Sequence, residues 1–216
     1  ANGVTMDGFE VDGTTVCNNG INAYEASNII IKNNKIHDVT KAWDGCGIMV
    51  WSWGSGTVDN ATIEHNEVFN TGRMGIVILD HDGTTTYEVT SGNTIHGNKV
   101  YNTWTMGTEW SDGGGAIQIN VGKNCSITDN EVYDTQDDNR GIYMFGSGSG
   151  NTISGNIIRN NPIGIQLWIS GEGGETINWE SDTPTSPQVN LNKIYDNTNF
   201  GAKSSNLDSY TPKIMV

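Results

Sequence analysis

The hexapeptide IEHNEV (63–68) returns in altered form along most of the chain: IKNNKI (31–36) before it, then IHGNKV (95–100), ITDNEV (127–132), ISGNII (153–158) and VNLNKI (189–194). Each copy reads apolar, two variable residues, Asn, one variable residue, apolar. The shared asparagines are Asn34, Asn66, Asn98, Asn130, Asn156 and Asn192, spaced by 32, 32, 32, 26 and 36 residues. Self-similarity at such a period marks a repeat architecture. The alternation on either side of the Asn predicts a short strand, a tight turn and a second short strand. Asn tolerates left-handed backbone at such a turn. Its amide both donates and accepts, so stacked copies can bond coil to coil. In MDGFEV the Asn position is held by Phe9, where the ladder should stop.

A second strand family opens on glycine: GIMVW from Gly47, GIVIL from Gly75, GAIQI from Gly115, GIYMF from Gly141 and GIQLW from Gly164. One such strand and the two flanking the Asn make three strands per coil, hence three parallel sheets. The expected fold is all-β: a right-handed parallel β-helix of roughly seven coils, about 35 Å long at the usual strand spacing. A doubly wound α/β fold would need helices between its strands. No segment has helical periodicity, and Gly and Asn would break one. With Ile48, Ile76, Ala116, Ile142 and Ile165 inward, the outward residues are Met49, Val77, Ile117, Tyr143 and Gln166. Two residues on come Trp51, Leu79, Ile119, Phe145 and Trp168. Large apolar residues on a solvated sheet mark a ligand groove or a contact between copies of the chain, unless loops cover them.

Of 216 residues, 28 are Gly and 27 are Asn, while hydrophobic residues make up 35 %. Fixed apolar offsets favour a repeat array over disorder. A net charge of −14 argues against nucleic acid or an anionic membrane as partner. Cys17, Cys46 and Cys125 lack metal-ligand spacing. Cys125 reads as a buried thiol, and Cys17 and Cys46 lie close enough in the repeat to meet. The sequence has no apolar run of transmembrane length. Residues 1–216 read as a single β-helix domain with a long insertion at 169–188. The opening residues already read as a coil, which suggests a part of a longer protein.

The repeat resembles the right-handed parallel β-helix superfamily, the pectate-lyase-like group, over nearly the whole chain. The Asn-rich coils also look like the β-helix domain of archaeal disaggregatases. The resemblance implies a polysaccharide lyase, hydrolase or epimerase, or else a tailspike-like or adhesive module. An extracellular, secreted or cell-surface setting goes with it.

Loops rich in Trp and charge flank the Gly-led strands, as insertions on a binding face do. Trp51, Trp53, Trp104, Trp110, Tyr143 and Trp168 offer flat faces for the C–H faces of sugar rings. Asp44, Asp80, Asp82, Asp112, Asp137 and Asp138 gather there too. Paired carboxylates can protonate a leaving oxygen and activate water, or hold Ca²⁺. Asp137-Asp138 resembles the Asp-Asp of polygalacturonases, although the family's Gly-His-Gly and Arg-Ile-Lys are missing. Leu79-Asp80-His81-Asp82 resembles the Asp-Pro-His-Asp of alginate epimerases and related lyases, without its Pro. An imidazole titrating near neutrality suits a base. Arg140 is the favoured cation for a developing enolate, over Arg73 and Lys41. His37, His65 and His96 read as solvated surface residues. The expected reactive centre is Asp137, Asp138 and Arg140, with Asp80 and His81 across the groove and Asp112 in reserve. Any metal would be Ca²⁺ on Asp137 and Asp138. The leading function is degradation of a cell-surface or matrix polysaccharide. The rival is a non-catalytic glycan-binding, adhesive or surface-layer module, built as a trimer or other homo-oligomer.

Overall fold

A computed structural model describes residues 3–14, 17–40, 45–54, 56–81, 86–87, 89–105, 114–136, 139–147, 149–168, 176–177, 188–190, 192–198 and 200–205. Asp44, Asp82, Asp112, Asp137, Asp138, Trp110, Lys41 and most of the 169–188 insertion lie outside them, as does the side chain of Trp168.

The described residues form strands and turns, with no α-helix among them. None of it is a helix long and apolar enough to cross a membrane. Three parallel sheets wind around one core. Sheet 1 holds the strands before the ladder turn, from Thr5–Asp7 through Ile30–Lys32, Thr62–Glu64, Thr94–His96, Ser126–Thr128 and Thr152–Ser154 to Gln188–Asn190. Sheet 2 holds those after it: Glu10–Asp12, Lys35–Val39, Glu67–Thr71, Lys99–Tyr101, Glu131–Tyr133, Ile157–Arg159 and Lys193–Tyr195. Sheet 3 carries the longest strands: Asn19–Tyr24, Cys46–Trp53, Ile76–His81, Gly115–Lys123, Arg140–Ser147, Ile163–Trp168 and Phe200–Ser205. Each coil thus adds one strand to every sheet, as the repeat predicts.

The core is made of columns. Ile31, Ile63, Ile95, Ile127 and Ile153 stack in register inside sheet 1. Ile36, Val68, Val100, Val132 and Ile158 do so inside sheet 2. All ten are buried. Like residues repeat every coil, so each methyl meets an equivalent neighbour one strand spacing away.

The Asn ladder runs up the corner between these two sheets. Each Nδ2 donates to the next Oδ1: Asn34 to Asn66 at 2.9 Å, Asn66 to Asn98 at 3.0 Å, Asn98 to Asn130 at 3.0 Å, Asn130 to Asn156 at 2.9 Å and Asn156 to Asn192 at 2.9 Å. It ends at Phe9, whose N–H donates to Asn34 Oδ1. The expected left-handed backbone lies elsewhere, however. Asn33, His65, Asp129, Gly97 and Gly155, each one residue before a ladder Asn, carry φ of 55°, 55°, 57°, 62° and 70°. The bend therefore falls on the preceding residue. The ladder Asn keeps a backbone that aims its amide inward.

A similar economy fixes the Gly positions of sheet 3. A Cβ on Gly75 would collide with Val100 Cγ1 and lie 2.9 Å from the Ala116 carbonyl oxygen. Gly75→Ala should therefore cost roughly 1–3 kcal/mol of stability. A denaturation midpoint equal to wild type would show that the corner relaxes freely.

All three cysteines are free. Strand register sets Cys46 opposite Asn19, so Cys17 and Cys46 are not partners. Cys125 is buried as expected, and burial raises its pKa.

Candidate functional site

The Gly-led strands bring the expected residues onto the outer face of sheet 3, with one correction. Ile117, not Ala116, pairs with Ile76 and Ile142. Gly113, Gly114 and Gly115 lead into Ala116, which takes the place that Gly takes in the other coils. A slip of one residue reverses every side chain. Ile117 and Ile119 therefore belong to the core. Gln118 and Asn120 face outward, and Gln118 Nε2 donates to Asn120 Oδ1 at 2.7 Å.

The apolar ladder expected to be solvated is mostly covered. Val77, Tyr143 and Phe145 are buried. Trp104 folds over Val77 in a small cluster with Cys46 and Met74, against which Met49 and Leu79 pack. The Arg73 guanidinium lies 5.4 Å from the centre of the Trp104 ring. Trp104 is thus part of the cover and Arg73 its partner. Cover by loop residues takes over much of this face from the open-groove expectation.

At the C-terminal edge of the sheet the face opens. Trp53 is 48 % exposed. Register sets it opposite His81. The two rings stack at 4.2 Å and 7°. His81 is itself only 6 % exposed. One coil back, Tyr24 meets Trp51 edge-on at 4.9 Å, and Trp51 Nε1 donates to Asn22 Oδ1 at 2.7 Å. Asp80 does not share this face. It pairs in register with Ser52, shares the parity of Ile76 and Ile78, and is 1 % exposed. Successive strand residues point to opposite sides, so Asp80 and His81 cannot both present to one substrate.

Arg140 stands at the opposite edge. Its guanidinium lies 5.1 Å from the centre of the Tyr143 ring, and its Nε donates to Gln166 Oε1. Asn139 fixes the local chain: it accepts from Gly114 N at 2.9 Å and donates to the Gln136 carbonyl at 3.2 Å. Beside this edge lies a cleft of about 380 Å³, lined by Asn102, Asp134, Thr135, Gln136, Asn160, Pro162 and Thr198. Counting from the register Ile76–Ile117–Ile142, Arg140 lies two residues before that line and His81 five after it. Seven residues of strand and two coil steps put them about 25 Å apart. Counting coil steps alone gives about 10 Å, which leaves out the run along the strands. Arg140 and His81 therefore cannot meet at one reacting carbon.

Sequence reading missed the outer face of sheet 2. His37, Phe69, Tyr101 and Tyr133 stack in a column, with centroids 5.1, 4.9 and 4.8 Å apart and planes within 11°. Arg159 lies over Tyr133 at 3.9 Å. Beside it runs a charge ladder, with Lys35 on Glu10 at 2.7 Å and Lys99 on Glu67 at 3.4 Å. Burial in the stack, then Glu67, pushes the Tyr101 hydroxyl up to about 12. The signal was available: each residue lies three after a ladder Asn. The rings cover one another's faces, so the column is structural glue and no sugar platform. His37 is also less solvated than expected, with 12 % side-chain exposure.

These sheets define the class. The chain belongs to the right-handed β-helix family, whose model, described as a right handed beta helix region, matches residues 1–178. No curated protein matches the sequence. Among solved structures, the periplasmic alginate epimerase AlgG is similar, with a TM-score of 0.58 and 17 % identity over 93 % of this chain and 41 % of that one. The chain thus spans about two fifths of that enzyme, and the likeness is one of fold. The likeness to archaeal disaggregatases finds no counterpart in these comparisons.

Proposed function

We propose that this chain is one β-helix module, residues 1–216 of a longer protein, that degrades an extracytoplasmic polysaccharide at the cell surface or in a secreted form. The observation that carries the reading is the pairing of an exposed Trp53 with His81 on the outer face of sheet 3. His81 covers one face of Trp53, and the exposed remainder of that indole is open to a sugar ring next to an imidazole that can move a proton. The Asp-His-Asp motif and the fold of an alginate epimerase favour a uronate-bearing glycan. In a lyase, His81 removes the proton from the carbon next to the uronate carboxyl. The electron pair left behind then expels the glycosidic oxygen and forms a carbon–carbon double bond. Arg140, about five sugar lengths away, binds another carboxylate. Asp137 and Asp138 would serve there as Ca²⁺ ligands, or as the acid pair if the reaction is hydrolysis, with Asp112 next in line.

Incubation with uronate-containing and neutral glycans tests this. An unsaturated, ultraviolet-absorbing product means lyase, and new reducing ends alone mean hydrolase. Binding with no bond broken means the non-catalytic module. Trp53→Ala should raise KM about tenfold, the loss of one ring contact. An unchanged KM would remove Trp53 from the binding surface.

A further inference from the structure

We propose a second site, for a transition-metal dication of the Zn²⁺ class, on the outer face of sheet 2 at His37, Asp12 and Asp38. Each of the three offers one ligand atom, and these atoms lie within 4.8 Å of one another. Asp12 and His37 are register partners on adjacent strands. Asp38 follows in the left-handed turn, at φ 57°.

The ligand atoms are held in place. Asp12 Oδ1 accepts from Thr14 N at 3.0 Å and from Thr14 Oγ1 at 2.5 Å. Asp38 Oδ1 accepts from Asn70 Nδ2 at 2.9 Å, which leaves Oδ2 toward the imidazole, 2.6 Å from His37 Nδ1. The ring itself is fixed by stacking on Phe69. His37 has a carboxylate at each nitrogen: Asp38 at Nδ1, and Glu10 at 3.2 Å from Nε2. With Nδ1 as the ligand atom beside Asp38, Nε2 keeps Glu10 as its orienting carboxylate, an arrangement common to metal-bound histidines.

Three carboxylates surround one imidazole and Lys35, so the site is anionic. One imidazole with carboxylates suits zinc-like ions, whereas Ca²⁺ takes oxygen ligands alone. Position sets this site apart. In the next coils the His37 place is taken by Phe69, Tyr101 and Tyr133, so among the described residues this ligand set occurs once, near the N-terminal end.

Titration calorimetry of Zn²⁺ into the whole chain, in a buffer that does not bind metal, tests the site. One equivalent should bind, at least tenfold more weakly in His37→Gln and in Asp12→Asn. A His65→Gln/His96→Gln double variant should bind as wild type does. Absence of stoichiometric binding, or binding unchanged in His37→Gln, overturns the proposal. So does equal loss in the double variant. Should His37→Gln fail to fold, the imidazole resonances of the wild-type chain decide: Zn²⁺ must shift His37 and not His65 or His96.

Discussion

Replacing His81 by alanine is expected to lower turnover on a uronate-containing glycan by a hundred- to ten-thousandfold, the usual contribution of a positioned acid or base. The fold should survive, because His81 lies on the outer face of sheet 3, away from the core columns, and stacks on the exposed Trp53 ring. Circular dichroism and sedimentation check the fold; initial rates of ultraviolet-absorbing product check the chemistry. Asp138→Asn sharpens the result. In a lyase centred on His81, about 25 Å from the other edge by the strand and coil count, its effect falls on KM. In a hydrolase the order reverses: Asp138→Asn costs at least a hundredfold in turnover, and His81→Ala only weakens binding. A His81→Ala variant with near-normal turnover would end the lyase reading.

The two strand sheets beside the ladder were legible in the sequence, because the Asn repeats with two apolar residues at fixed offsets. Apolar registers fix coils more firmly than loop lengths do. Sheet 3 was legible except in one coil. There a run of glycines before Ala116 left the sequence free to start the strand one residue early. Only the partner strands decide that register. The inward lean of Asp80 could have been read from the parity of Ile76 and Ile78. It was missed because proximity in sequence to His81 suggested proximity in space. Cover over Val77 by Trp104 depends on how a loop returns across the sheet, and no local periodicity encodes that. The further internal amides, Asn93 on Ala61 N and Asn151 on Cys125 N, were hidden for another reason. Only alternate coils carry Asn at that corner, so no repeat announces them.

Asn98→Ala should be the most damaging of the single changes to stability. Asn98 Oδ1 accepts from both the backbone N–H and the Nδ2 of Asn66, at 2.9 and 3.0 Å. Its Nδ2 donates to the Ile63 carbonyl at 2.9 Å and to Asn130 Oδ1 at 3.0 Å. Truncation leaves the Asn66 N–H and the Ile63 carbonyl without these partners in a corner closed to water. The expected cost is roughly 2–6 kcal/mol, about 1–3 for each of the two orphaned groups. Thr62→Ala on the half-exposed face of sheet 1 serves as the control. Equal midpoint shifts for the two would show that the ladder carries no special weight. Asn98→Asp separates the acceptor role from the donor role. It keeps an oxygen for Asn66 but sets a carboxylate against Asn130 Oδ1, in a buried place that favours the neutral form. Burial raises the pKa of such a group in the folded state. The neutral acid carries one O–H, so below the unfolded-state pKa it restores one of the amide's two donations, to Asn130 Oδ1 or to the Ile63 carbonyl. That contribution is then lost as pH rises through the folded one. The Asn98→Asp chain should accordingly lie nearest wild type in acid and fall furthest behind near neutrality. A stability difference from wild type that stays constant across that range would mean the carboxyl reaches solvent, and that the ladder corner opens.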